Sequence, residues 1–336
     1  MSRIVSIVTT LVGVLLLVAL VRQVGVNAVL SGARQVGWGF IIIVLISGGR
    51  ILVRAAAWRL CLDPPDTAAV PLSHAFAAGL PAEAIGSLTP LGLLASEPAK
   101  AAWVRASVPF GRAMAAVAIE NVLYSISVAI VIAAGTIALL ASFNLPAAVR
   151  QAGELSLAFV AAAFVALVAA LWIAARRFAI FSAVAERFTG SGRLGARIRG
   201  YEARAQQAVR ATRGRILPIA TLEALFHAGG VAEAYVTVWL LTGVAPTVLA
   251  AFVLETANRV VNVVFRFVPL RLGVDEAGSA LITSVLGLGT ASGVTLAVVR
   301  KARVLFWSTA GIALMLRRGL RLRMLIRGDA PETGRS

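Results

Sequence analysis

Long apolar runs alternate with short Arg-bearing breaks along almost the whole chain. A helix needs about 20 apolar residues to cross the hydrocarbon of a bilayer. Stretches at roughly 4–21, 37–60, 113–140, 155–175, 216–241 and 293–316 meet that need and predict transmembrane helices. Two further apolar stretches, about 72–100 and about 248–288, are interrupted by Gly, Pro and acids. The first is too short for two spans and too broken for one. Its pattern predicts two half-helices folded as a re-entrant hairpin, and the second stretch reads the same way. Irregular backbone at membrane depth is tolerated only inside protein or beside a watery cavity. Both stretches are therefore expected within the bundle. Asp63-Pro64-Pro65-Asp66 ends the second span, because Pro cannot continue a helix.

The two broken stretches share a motif. Pro90-Leu91-x-Leu93-x-x-x-Glu97 recurs as Pro269-Leu270-x-Leu272-x-x-x-Glu276. With six spans the first copy enters from one side of the membrane and the second from the other. The expected fold is all-α and polytopic: six transmembrane helices plus two re-entrant broken segments in an inverted repeat, the pattern of alternating-access transporters. Residues 1–336 form a single membrane domain. Its first half is 1–175, a basic loop covers 176–215, the second half is 216–316, and a tail follows over 317–336.

Composition removes the soluble alternatives. The chain is 59% hydrophobic and only 14% charged, against roughly a quarter charged in soluble domains. Net charge is +17, from 32 basic and 15 acidic residues. Only Lys100 and Lys301 are Lys. The Arg sit mostly at membrane edges, which speaks for topology and anionic lipid rather than nucleic acid. Ile198, Tyr201, Ala205 and Ala208 fall at helical spacing in the 176–215 loop, predicting an amphipathic helix on anionic headgroups. The positive-inside rule places that loop, the tail and both termini in the cytoplasm of a bacterial-type inner membrane. The run after Arg3 lacks a small-residue cleavage site and reads as an uncleaved first span. Cys61 is the only cysteine, so no disulfide forms within the chain.

A charge at the bilayer centre costs about 2.5–3.5 kcal/mol on insertion scales. This chain nevertheless places many charges in apolar stretches, with acids and bases nearly balanced. They either only fix helix packing or line a polar substrate pathway. The pathway reading assigns Glu97, Glu120, Glu255, Arg259, Asn262, Arg266, Asp275, Glu276 and Arg300 to it. Glu255, Arg259, Asn262 and Arg266 are spaced 4, 3 and 4, one stripe of a helix. Arg forks suit phosphate oxygens, though an internal Glu–Arg ladder has the same pattern. Glu223, His227 and Glu233 form a weak metal set, and a neutral, hydrogen-bonded His is the simpler reading. No nucleophile elbow, Walker loop or His-Glu-x-x-His motif occurs. No catalytic residue, metal or cofactor is assigned, and ATP hydrolysis is not expected.

Two stretches carry a family resemblance. One runs from Gly86-Ser87-Leu88-Thr89-Pro90-Leu91-Gly92 through Glu97-Pro98-Ala99-Lys100-Ala101 to Arg112-Ala113 and Glu120. The other is Val268-Pro269-Leu270-Arg271-Leu272-Gly273-Val274-Asp275-Glu276-Ala277. With these the chain resembles the flippase-like family typified by the transmembrane region of lysylphosphatidylglycerol synthases. Asp275-Glu276-Ala277 with Arg300-Lys301-Ala302-Arg303 leans toward the hopanoid-associated branch. The family commonly has Gly-Gly after the second Pro, where Leu270-Arg271 stands here. The full synthases add an aminoacyl-transferase domain, whereas only the 317–336 tail follows the last span, so synthase activity is expected to be absent. The resemblance implies movement of a membrane lipid between leaflets. Rival classes are a membrane-embedded lipid-modifying enzyme and a non-transporting partner of a lipid-synthesis complex. Expected partners are membrane lipids, with a homo-oligomer or a lipid-synthesis protein as alternatives.

Overall fold

The computed structural model describes residues 34–88, 92–166, 169, 214–266 and 268–318. The expected first span, nearly all of the basic loop and nearly all of the tail lie outside these. The described residues are helical, with no strand among them. In order they are α1 Gly39–Leu60, α2 Pro64–Ala69, α3 Leu72–Leu88, α4 Gly92–Trp103 and α5 Phe110–Ser142. There follow α6 Ala147–Ala166, α7 Ile216–Thr242, α8 Val248–Val264, a 3₁₀ turn Pro269–Arg271, α9 Val274–Val285 and α10 Thr290–Arg317.

By length and composition, α1, α5, α6 and α7 are apolar and long enough to cross a membrane. Helix α10 has 28 residues, enough to span at 1.5 Å per residue, but Arg300, Lys301 and Arg303 interrupt its apolar run. Helix α6 starts earlier than the hydropathy of the fourth span suggests, because Pro146 fixes its first turn. Pro is tolerated where the helix has no N–H partner to lose; the N–H groups of Val149 and Arg150 bond to its carbonyl.

Two apolar clusters occupy opposite ends of the bundle. One gathers Trp58 from the C-terminal end of α1 and Leu62 just past it, Ala113 and Val117 from the start of α5, Ile219 from the start of α7, and Met315 from the end of α10. The other gathers Ile43, Leu139, Val238 and Leu296 from the opposite ends of the same four helices. So α1 and α10 run one way, while α5 and α7 run the other. Helices α3 and α4 begin and end at the first cluster, through Ala75, Ala78 and Trp103. The far end of α3 lies inside the bundle, where Ser87 Oγ meets Ser308 Oγ at 3.1 Å. Helices α8 and α9 begin and end at the second cluster, through Ala251 and Val285. The 3₁₀ turn between them packs against α3. Two re-entrant hairpins thus enter from opposite ends, and the turn of the second meets α3 of the first.

The packing repeats across the two halves. Helix α1 packs on α3 as α7 packs on α8, and α4 on α5 as α9 on α10. The first hairpin leans on α10 and the second on α5, while α1 and α7 pair at the centre. Where the halves press closest, small residues are obligatory. A Cβ at Gly135 of α5 would sit 1.8 Å from Thr256 Oγ1 of α8. Thr256 is itself tied back to the Phe252 carbonyl at 2.9 Å. Gly135→Ala is expected to lower stability by about 1–3 kcal/mol, read as a drop in melting temperature in detergent. A melting curve unchanged from wild type would show that α5 and α8 separate more easily than this contact implies.

Candidate functional site

The layer between the two apolar clusters is charged. Glu255 of α8 is 1% exposed and faces Arg from three helices. Its partners are Arg259 one turn along at 2.5 Å, Arg50 of α1 at 3.6 Å and Arg300 of α10 at 3.8 Å. Asn258 donates to its other oxygen at 3.1 Å. Gly230 of α7 leaves the room, since a Cβ there would lie 2.3 Å from Glu255 Oε1. Glu233 of α7 takes Arg50 at 2.6 Å and Arg303 at 3.0 Å. Arg50 therefore ties α1 to both α7 and α8.

A second node forms where α1, α4 and α5 meet. Glu120 is fully buried and pairs with Arg54 at 2.9 Å and Lys100 at 3.2 Å. Arg54 also reaches Asn121 at 3.4 Å and lies over the Tyr124 ring, 3.9 Å from its centre. Lys100 sits 4.8 Å from the centre of the Trp58 ring. Such contacts offset part of the cost of burying a cation.

The third node is the second hairpin's tip. Glu276 accepts the Gly273 N–H at 2.8 Å and so caps α9. Its other oxygen meets Lys301 at 2.9 Å, and Lys301 also meets Asp275 at 3.4 Å. Arg271 lies 3.6 Å from Asp275. Leu270 and Arg271 hold φ of 50° and 48°, a left-handed backbone that costs a residue with a Cβ about 1–2 kcal/mol. Neither residue is Gly, so this turn is made with strain. Strained backbone clusters at functional sites, and here it presents Leu270 and Arg271 to a cavity.

That cavity has a volume of about 520 Å³ and lies among the two hairpins, α1, α5, α6 and α10. Among the described residues nine basic side chains line it: Arg50, Arg54, Lys100, Arg259, Arg266, Arg271, Arg300, Lys301 and Arg303. Three acids among them line it too, Glu83, Glu97 and Asp275. Glu120, Glu233, Glu255 and Glu276 stand behind that wall, paired with its cations. The α5 and α6 side is apolar, formed by Val128, Ile132, Phe159, Val160 and Ala163. One wall is thus cationic and another greasy.

All nine residues assigned from the sequence fall in this layer, in different roles. Asp275, Glu276, Glu120, Glu255, Arg259 and Arg300 are buried and ion-paired among themselves or with Arg50, Arg54, Lys100 and Lys301. Asn262 donates to Asn258 at 3.2 Å. The stripe predicted through Arg266 is cut short. Helix α8 ends at Val264, and Arg266 lies two residues past it. There it is exposed to the cavity and forms no ion pair among the described residues. Glu97 has a buried oxygen with no hydrogen-bond partner among the described residues. The two motif carboxylates therefore differ: Glu276 is capped and paired, Glu97 is not.

Sequence reasoning left Arg50, Arg54, Lys100, Arg271, Lys301 and Arg303 off the pathway. As cations in or beside apolar stretches they carried the signal that would have found them. His227 has the polar neighbour expected of a neutral His, Ser127 Oγ at 3.0 Å from its Nε2. Glu233 instead faces the two Arg named above.

A polytopic helical membrane protein, built as two inverted halves around a cation-rich cavity at mid-depth, is the class this geometry defines. The family model for the lysylphosphatidylglycerol synthase transmembrane region matches residues 4–312, and the chain belongs to that family. No curated protein and no solved structure matches it significantly.

Proposed function

We propose that this protein moves an amphiphilic lipid with an anionic headgroup between the leaflets of a bacterial-type inner membrane. It does so without ATP and without chemistry on the lipid. The observation that carries this reading is the cavity: nine cations against three acids among the described residues of its lining, with a greasy flank on α5 and α6. A headgroup phosphate fits the first surface and acyl chains the second. Arg266, exposed and without an ion pair among the described residues, is the side chain best placed to meet the headgroup. Arg259 instead holds Glu255. Two inverted hairpins, the turn of the second packed against α3 of the first, supply the gates that alternate access requires. The positive-inside rule sets the first apolar cluster, where α7 begins after the basic loop and α10 ends before the tail, on the cytoplasmic side.

Reconstituted vesicles containing fluorescent phosphatidylglycerol test the proposal. Wild type is expected to equilibrate the probe between leaflets with no other protein present. Arg266→Ala is expected to slow it about 10- to 100-fold, the loss of one or two charge-assisted hydrogen bonds, with melting unchanged. Arg266→Lys should recover part of the rate. An Arg266→Ala protein that moves the probe at the wild-type rate would remove Arg266 from the pathway. Turnover of the headgroup in the same vesicles would make the protein an enzyme. Neither activity, with another membrane protein co-purifying, would make it an assembly partner.

A further inference from the structure

Beside the cavity, and not part of its lining, lies a polar cluster that lipid recognition does not use. Glu223 and His227 sit one turn apart on α7, 3% and 5% exposed. Ser127 of α5 faces both. Its Oγ is 3.4 Å from Glu223 Oε2, 3.0 Å from His227 Nε2 and 2.8 Å from the Tyr124 carbonyl. Glu223 Oε1 and His227 Nδ1 are buried, with no hydrogen-bond partner among the described residues. Buried polar atoms are nearly always paired, so these two orphans call for an explanation.

Counting protons at Ser127 locates a shortage of one hydrogen in this cluster. A serine hydroxyl donates one hydrogen and accepts two. Three acceptors face Ser127 when Glu223 is ionised and His227 Nε2 carries a lone pair, and one hydrogen cannot serve them. Suppose Ser127 donates to the Tyr124 carbonyl, its shortest contact. His227 then carries its hydrogen on Nε2 and donates to Ser127 Oγ. The ionised Glu223 is left with no donor at all. One added proton completes the set. A protonated Glu223 carboxyl donates to the second lone pair of Ser127 Oγ, and all three contacts are satisfied at once. The three contacts at Ser127 are one proton short when Glu223 is charged and complete when it is neutral.

We propose that Glu223, seated on Ser127 and His227, is a proton-binding site that couples lipid movement to the proton gradient. This rests on the transport reading above. The step is simple: a proton from water bonds to a Glu223 carboxylate oxygen on one side of the membrane and leaves the same oxygen to water on the other. The charged and titratable groups in electrostatic reach come from α1, α4, α5 and α8. They are Arg50 and Arg54 of α1, Lys100 of α4, Glu120 of α5, and Glu255 and Arg259 of α8, with Cys61 beyond the end of α1. The coupling element is Tyr124. Its ring stacks parallel to His227 with centres 6.2 Å apart. Its hydroxyl accepts from Arg259 at 3.0 Å, and Arg54 covers its face. Arg54 and Arg259 both line the cavity. Adding or removing one charge behind Tyr124 changes how firmly these two Arg are held by Glu120 and Glu255, and hence how freely they meet an anion.

The test uses full-length protein in vesicles, with fluorescent phosphatidylglycerol and an imposed pH gradient. One proton per lipid predicts that each unit of pH gradient shifts the steady-state leaflet ratio about tenfold. In Glu223→Gln the response to the gradient should vanish. Infrared difference spectra between acid and neutral pH, recorded on the same protein, should show a protonated-carboxyl band. Glu223→Gln should lose it, and Ser127→Ala, which removes its hydrogen-bond partner, should move it. A gradient response that survives in Glu223→Gln overturns the proposal, as does a response to sodium with none to protons. If wild type moves no lipid at all, the transport reading fails. The carboxyl band then decides the site alone: its presence in wild type and absence in Glu223→Gln upholds it, and an unchanged band removes it. Should Glu223→Gln fail to fold, the band shift in Ser127→Ala serves, and no shift counts against the site.

Discussion

Glu255→Ala is expected to be the most damaging single substitution in the charged layer. It leaves three Arg facing one another around an empty space. Arg50 keeps Glu233 and Arg259 keeps the Tyr124 hydroxyl, but Arg300 loses its one ion pair among the described residues. Removing one partner of a buried pair costs about 3–5 kcal/mol, because an uncompensated charge remains. Melting in detergent should fall accordingly, with a loss of monodisperse protein. Replacing Arg259 by Ala as well removes one stranded cation, so the double variant should be more stable than the two single losses add up to. Additive losses would mean that Arg259 and Glu255 are independent and that Arg259 is free for a ligand after all.

The two motif carboxylates should separate in function. Glu276→Gln keeps an oxygen to cap Gly273 but takes the closer carboxylate from Lys301. A loss of about 1–3 kcal/mol is expected, together with slowed lipid movement. Glu97→Gln disturbs no ion pair among the described residues, so melting should stay at the wild-type value. Lipid movement should nevertheless fall about tenfold or more, because a carboxylate opposite the cavity cations is the natural gate against an anionic headgroup. Wild-type transport in both variants would reduce the pair to packing elements. A melting loss in Glu97→Gln equal to that in Glu276→Gln would contradict the asymmetry seen between the hairpins.

The sequence was most legible where one helix carries both members of an interaction. Glu255 and Arg259 are an i, i+4 pair readable from spacing alone, as are Arg271 and Asp275 across the start of α9. The breaks at Gly and Pro between the half-helices were legible too, since no other arrangement of that backbone is stable within a membrane. The run from Glu255 to Arg266 misled for a local reason. Spacing shows which residues would share a face if the helix continued, not where it stops. Nothing in the pattern marks Val264 as its last turn. Ser127 carried no signal at all, because one Ser in an apolar helix bonds its own backbone as often as a distant side chain.

Apolar run lengths and the density of Arg determined that this chain is a helical membrane protein, because hydrocarbon admits only backbone that satisfies its own hydrogen bonds. The repeated Pro-Leu-x-Leu-x-x-x-Glu motif marked two matching broken segments, and the count of spans set them facing opposite ways. Which charge neutralises which was decided by the tertiary structure alone. Arg50 finds Glu233 across 183 positions, and Arg303 finds the same carboxylate across 70. Ion pairing in a low-dielectric interior depends on separation in space, and the sequence records only separation along the chain. For the same reason, two glutamates with identical local motifs became a capped, paired strut in one hairpin and, in the other, a cavity-lining carboxylate with no ion pair among the described residues.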